Sequence, residues 1–217
     1  MATKMCFAVN EKSVFEEIIV EYKFVAGQTF CQKQKNVLSF HKSIQERFEG
    51  KRIIEISTKS QSPFGVSLSA FNLMLDGYPV ECVYQSSKVF EGNVQFENLL
   101  TESAKTAKKF IMENVSLPVI GFRYKGEEFG LLPRSMFYDY IYISALLESN
   151  SDVSVIGDYD IFTDIEFDEK TGYNCQARAC AIYAYMLRTD KVNYYMSSRE
   201  RFKELYNVHN GVTIEDK

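Results

Sequence analysis

"GYPVECVYQSSKVFEG", Gly77–Gly92, is the stretch on which the fold turns. Pro79 opens it and mostly apolar or small residues follow, which predicts a buried helix from about Val80 to Phe90. At roughly 100° per residue, Tyr84, Gln85, Glu81 and Lys88 share one face, because spacings of four and seven realign side chains. Val80, Val83, Ser87 and Phe90 lie on another face, and Cys82, Ser86 and Val89 fill most of the rest. An acid, an amide and an amine thus form a narrow stripe on an otherwise apolar helix. Two readings stay open. The stripe is a solvated edge with a Glu/Lys pair, or it is a pocket wall where a carboxylate serves as base and a partly desolvated lysine as nucleophile.

Outward from this helix the patterns alternate between extended and helical. Val14–Ala26 and Arg52–Thr58 read as strands, and Gln61–Gly65 as a loop. Asn36–Phe48 places Val37, Phe40, Ile44 and Phe48 at helical spacing. Phe96–Val115 predicts one long amphipathic helix and Ser135–Ser149 another. Val119–Leu132 predicts a hairpin turning at Lys125–Gly126. Asp160–Gly172 is extended and acidic, then turns. Asn174–Arg188 predicts a closing helix with Asn174 as its N-cap. The sum is α+β, predominantly helical with a few short strands. It reads as one domain over residues 1–207, followed by a polar tail over 208–217 that is expected to be disordered.

The chain's 217 residues suit one domain, and 17 Phe and 14 Tyr with no Trp predict an aromatic core. A formal charge of −4 argues against a broad non-specific DNA surface but leaves room for recognition of a single base. Five cysteines without a CxxC pair, and only His41 and His209, predict no structural metal and no disulfide framework. Reduced, mostly buried thiols in a cytoplasmic protein are the expectation. The first residues carry no apolar core of a secretory signal, and no apolar run approaches the ~18 residues of a membrane span.

On the closing helix, Ala177, Ala179, Ala181 and Ala184 leave room for close approach, and Arg178 stands alone among them. A buried arginine needs an acid or an anionic ligand. The candidates are a structural ion pair with Asp164 or Glu166, or a phosphate held in the guanidinium fork. Lys59 in "STKS", Ser57–Ser60, lies at a strand end where binding loops often sit, whereas "QKQK", Gln32–Lys35, reads as solvated surface. His41, beside Phe40 and Ile44, reads as a satisfied, partly buried histidine. No GxGxxG, P-loop or GxSxG pattern occurs.

At these residues the chain resembles the NADAR family. Leu68–Gly92, "LSAFNLMLDGYPVECVYQSSKVFEG", is similar to that family's signature: a small-residue/Phe turn, an acidic-Gly step, Tyr-Pro, then Glu and a downstream Gln-x-x-Lys. Phe162–Arg188 matches its extended motif, Gly-Asn step and closing helix. Phe24–Ile44 and Ile56–Asn72 resemble the antitoxins associated with DarT-type DNA ADP-ribosyltransferase toxins, and the motif core spans about 56–188. "LSAF" replaces the usual Ser-Asn-Phe, and "FTDIEF" stands where many relatives have Trp-Gly, which departs from the riboflavin-pathway branch.

The resemblance implies a glycohydrolase that removes ADP-ribose from guanine bases in single-stranded DNA, without metal or other cofactor. It implies a lysine that forms a Schiff base with the opened ribose. By motif position that lysine is Lys88, with Glu81 as proton shuttle and Lys59 in reserve. Gln85, Asn72, Asp164 and Asn174 would hold ribose or base beside Tyr84, and Arg178 the pyrophosphate. The implied partners are ADP-ribosylated guanine in DNA and a cognate DarT-type toxin, with no membrane. The alternatives are an N-glycosidase acting on a small nucleotide-derived substrate, and a non-catalytic binder of modified nucleic acid or of the toxin. An amine that attacks must be neutral; burial favours that form, while an ionised Glu81 nearby opposes it.

Overall fold

The computed structural model describes residues 1–168 and 172–208. Ala2–Asn10 (β1) and Val14–Tyr22 (β2) form a long hairpin, in register from Ala2↔Tyr22 to Asn10↔Val14. Phe30–Arg47 (α1) starts on a capping box in which Thr29 and Gln32 satisfy each other's backbone N–H. Ile53–Glu55 (β3) leads to the short helix Pro63–Ser67 (α2), then Met74–Leu75 (β4) and Tyr78–Pro79 (β5) make a two-rung ladder. Next come Val80–Ser87 (α3), Lys88–Phe90 (β6), Val94–Gln95 (β7), Ala104–Asn114 (α4), Val119–Tyr124 (β8) and Glu127–Phe129 (β9). Met136–Glu148 (α5), Ile161–Thr163 (β10), Gln176–Arg188 (α6), Val192–Tyr195 (α7) and Arg199–Val208 (α8) complete the described chain.

Two four-stranded sheets organise these elements, in the orders β2-β1-β10-β3 and β7-β6-β8-β9. In the first, β1 pairs antiparallel with β2 and β10, and β10 pairs parallel with β3 through Thr163↔Glu55. Alternation along β1 sends Cys6 towards α1, with Phe40, Ile44, Val20 and Tyr22. Phe7 points the opposite way, into the main core with α5 and α6. The second sheet and α3 pack with α4 around Cys82, Phe90, Leu99 and Ala107. The α+β class holds, but the strands are more numerous than expected and form two real sheets.

Several boundaries differ from expectation for local reasons. The α3 helix stops at Ser87 rather than Phe90, so Lys88 begins a strand and pairs with Phe122. The hydroxyls of Ser86 and Ser87 both donate to the Val83 carbonyl, at 3.1 and 2.7 Å, and so take up an acceptor of the final turn. The expected long helix over 96–115 breaks into a 3₁₀ turn, Glu97–Thr101, and α4, because Ser103 caps a new start by accepting from Thr106 N–H at 3.1 Å. Pro63 at the first helical position turns part of the expected loop into α2. Cys175, not Asn174, is the N-cap of α6. The β8–β9 hairpin does turn at Lys125–Gly126, both with positive φ (50° and 76°). Residues 209–217 of the expected tail, and 169–171 of the extended stretch, lie outside the described residues. All five cysteines are free and four are buried. No helix among the described residues is long and apolar enough to cross a membrane.

Deep in the main core Asp139, fully buried on α5, accepts from Arg178 Nη2 on α6 with both oxygens, at 3.1 and 2.9 Å, and from the Tyr206 hydroxyl on α8 at 2.6 Å. Burial pushes the Asp139 carboxyl up, and the guanidinium pulls it back towards the charged form. Arg178 therefore does form the ion pair that its setting requires, but with Asp139 rather than Asp164 or Glu166. Asp139→Ala strands that guanidinium in a dry core and should lower the unfolding free energy by about 3–5 kcal/mol in urea denaturation. Tyr206→Phe, which removes one hydrogen bond to the ion pair, should cost about 1.5–3 kcal/mol.

Candidate functional site

The site grows from the first turn of α3. The Glu81 N–H donates to the Ala70 carbonyl at 2.9 Å, which joins the helix start to the turn after α2. The Glu81 side chain is buried, and its Oε1 accepts from Gln85 Nε2 at 2.8 Å, one helical turn on. Gln85 is itself only 5% exposed, and its Oε1 is a buried acceptor with no donor among the described residues. Such an atom costs about 1–3 kcal/mol unless something donates to it, so it marks a place for a ligand's N–H or O–H.

Tyr84 lies between this pair and the second sheet. Its ring stands 5.6 Å from that of Phe122 and edge-on to Tyr138 at 5.3 Å, and its hydroxyl accepts from Asn174 Nδ2. Burial pushes the Tyr84 hydroxyl well up. Lys88 Nζ sits over the same ring, 4.8 Å from its centre. Because Lys88 has left the helix, it reaches this place from a strand end, yet it still joins Glu81, Tyr84 and Gln85. Burial lowers the Lys88 ammonium to about 8, with Glu81 opposing and Lys108 assisting. The π face of Tyr84 also favours the charged form, so it acts with Glu81 against the effect of burial.

Asp164 follows β10. Its Oδ1 accepts from Glu166 N–H at 3.0 Å, and burial followed by the charge of Glu55 pushes its carboxyl up to about 7. It connects to the α3 end through Gln176: that side chain bonds Asp164 and accepts from Ala70 N–H at 2.8 Å, and Ala70 in turn receives Glu81. Sequence reasoning missed Gln176. It also missed Glu55, although an acid inside "RIIEIST" was a visible irregularity in an apolar strand. Gly65 explains how the chain above Glu55 comes so near, since a Cβ there would collide with the Glu55 carbonyl oxygen and the Ser60 side chain.

The remaining candidates are less closely tied. Asn72 is exposed, and its Nδ2 donates to the Val66 carbonyl at 2.9 Å, which closes the turn that carries Ala70. Lys59 lies on the α1 side, its Nζ on the Thr58 hydroxyl and 5.5 Å from the centre of the Phe30 ring. Arg178 is in the core, its Nη2 on Asp139 and its Nη1 on the Tyr173 carbonyl at 2.8 Å. Among the described residues no group of three or more His, Cys, Asp or Glu is arranged to hold a metal.

The site therefore offers a half-buried amine whose pKa burial lowers, a buried carboxyl–amide pair, an unpaired amide oxygen, and a second carboxyl whose pKa burial raises. That set suits addition of an amine to an electrophilic carbon with proton transfer on either side. No curated protein matches the chain. A family model described as DarT1-associated NADAR antitoxin matches residues 2–215. With nearly the whole chain inside that match, the protein belongs to the DarT1-associated NADAR antitoxin family.

Proposed function

We propose that this antitoxin-family protein is an ADP-ribosyl glycohydrolase that removes ADP-ribose from guanine bases in single-stranded DNA, reversing the modification made by a DarT-type toxin. The observation that carries the reading is Lys88: an amine lowered to about 8 by burial, held over Tyr84 beside Glu81. At pH 7 roughly a tenth of such a group is neutral, against well under a hundredth for an ordinary lysine.

In this reading the lone pair of the glycosidic nitrogen breaks the C1′–O4′ bond, the ring oxygen leaves with that bond's electrons and takes a proton from water, and neutral Lys88 adds to C1′ of the resulting iminium. Glu81 takes the proton that the new C–N bond releases. The base leaves with a proton on its nitrogen, and water then hydrolyses the lysine imine, which frees ADP-ribose and restores the amine. Gln85 Oε1 accepts a donor of the ribose or base, and Asn174, through the Tyr84 hydroxyl, holds the platform under Lys88. The same reading assigns substrate contacts to Asn72 and Lys59, with Lys59 the reserve amine. Arg178, engaged with Asp139, sets the position of the α6 start that carries Asn174 and Gln176. A pyrophosphate contact from Arg178 would need its Nε–H, which is buried without an acceptor, or the second N–H of Nη1.

Incubation with ADP-ribosylated single-stranded DNA should release free ADP-ribose. Turnover of small glycosides alone would favour the nucleotide-derived substrate, and stoichiometric retention a binder. Borohydride added during turnover should leave ADP-ribose covalently on Lys88, located by peptide mass mapping. Lys88→Ala should stay folded and lose release and trapping by at least a hundredfold; near-full activity would remove Lys88 from the mechanism.

The pH dependence follows from the same amine. Activity should rise with pH through the neutral range as Lys88 loses its proton. Lys108→Ala removes a cation that favours the neutral amine, so the Lys88 pKa rises and activity at pH 7 and below should fall. A pH–rate series on the two proteins measures it, and activity unchanged or raised at pH 7 contradicts the assignment.

A further inference from the structure

Behind Asp164 lies a buried carboxylate to which the proposed reaction assigns no task. Glu55, 2% exposed at the end of β3, accepts three hydrogen bonds: from the Ser57 hydroxyl at 2.6 Å, the Thr163 hydroxyl at 2.6 Å and the Ile165 N–H at 2.8 Å. Two of these donors, Thr163 and Ile165, are the residues on either side of Asp164. The backbone that carries Asp164 is thus wrapped around the Glu55 carboxylate. The Thr163 hydroxyl also meets His41 Nε2 at 2.8 Å. Burial holds His41 neutral, lowering it to about 4, so with Thr163 donating to Glu55 the imidazole donates through Nε2.

Asp164 is placed differently. It receives the Glu166 N–H and the Gln176 side chain, and it is 6% exposed. Both carboxyl groups are buried, and burial raises each, so one charge between them is favoured over two. Glu55 accepts three hydrogen bonds to the two that Asp164 receives, so the charge rests on Glu55 and the proton on Asp164. The groups coupled electrostatically or by hydrogen bond to Asp164 are Lys4 from β1, Glu55 from β3, Tyr138 and Tyr142 from α5, Gln176 and Cys180 from α6, and Cys175 at its N-cap. Of these, Lys4 opposes the proton, and its Nζ also donates to the Phe167 carbonyl. Gln176 ties Asp164 to the α3 start: its side chain bonds Asp164 and accepts from the Ala70 N–H at 2.8 Å, and the Ala70 carbonyl accepts from the Glu81 N–H.

We propose that Glu55 is a positioning residue of the reaction: from behind Asp164 it keeps a proton on that carboxyl at neutral pH, and Asp164 hands the proton to the nitrogen of the departing base. This rests on the glycohydrolase reading. As the C–N bond to the base breaks, its electron pair goes to the base nitrogen, which takes the proton from Asp164 Oδ. Asp164 is left as carboxylate, and the water that hydrolyses the lysine imine returns a proton to it. Lys88 must be neutral and Asp164 protonated at the same moment, so activity is greatest between about pH 7 and 8 and falls on both sides.

Infrared difference spectroscopy on the full chain reads the acid C=O band of Asp164, identified by its loss in Asp164→Asn. In the wild type the band should persist at pH 6 and titrate near pH 7. In Glu55→Gln, which removes the charge and keeps the shape, the midpoint should fall by about one pH unit or more. The kcat profile should follow, with about a tenfold lower maximum, a rising limb moved to lower pH and KM unchanged. Thr163→Val, which deletes one donor to Glu55, should shift both in the same direction by less, and it decides the matter if Glu55→Gln does not fold. A band that does not move in the folded variants overturns the pair. A band that moves without the rate profile overturns its use in the reaction. If the wild type releases no ADP-ribose while the band still moves, the glycohydrolase reading fails and takes the catalytic use of Asp164 with it, leaving a titrating pair alone.

Discussion

The buried contact of Arg178 with Asp139 is the constraint on which the rest depends. It ties α5 to α6 in a part of the core where neither charge can reach water, and Tyr206 fastens α8 to the same carboxylate. Isolated, either charge would be far more costly to bury than to leave unfolded. Paired, they define where the first turn of α6 begins. That turn carries Gln176, which holds Ala70 and Asp164, and is preceded by Asn174, which holds Tyr84. The geometry around Lys88 is therefore set by an ion pair that lies outside the chemistry.

The site itself is assembled from the ends of elements. Glu81 starts a helix, Lys88 starts a strand, Asp164 follows one strand and Glu55 ends another. Such positions have backbone groups free to bond side chains, which is how the Ala70, Ile165 and Glu166 amides come to be used here. Polar groups drawn together from four segments can be buried because each has a partner, with the Gln85 oxygen left over.

Periodicity made the helices visible. The spacings in α5 and α6 appear where expected, α1 begins earlier than expected, at Phe30 rather than Asn36, and the hairpin at Lys125–Gly126 followed from turn chemistry. β1 was not visible, because a central strand covered on both faces shows no alternation between apolar and polar. The end of α3 was also hidden: nothing in "QSSKVF" separates a continued helix from a helix that turns into a strand until β8 is there to pair with it. Glu81, Gln85 and Lys88 could be grouped from spacing alone; Glu81 and Gln85 do bond, and Lys88 stands over the Tyr84 ring, through a helix–strand junction and not along one helix. The partners of Arg178 and Asp164 could not be read at all, since Asp139, Glu55 and Gln176 are distant in the chain and only packing brings them close.

That junction bears on how the site meets a ligand. Lys88 is the residue at which a helical backbone hands over to a sheet ladder, with Tyr84 one turn behind it and Phe122 across from it. Its Cα cannot shift without disturbing both the α3 end and the β6–β8 pairing, so only the side-chain torsions are left to relax. A lysine on a loop would surrender several backbone degrees of freedom when it closed on a substrate, each worth about 1–2 kcal/mol. Here that ordering is complete when the protein folds, and association is left with the entropy of one side chain and of the ligand.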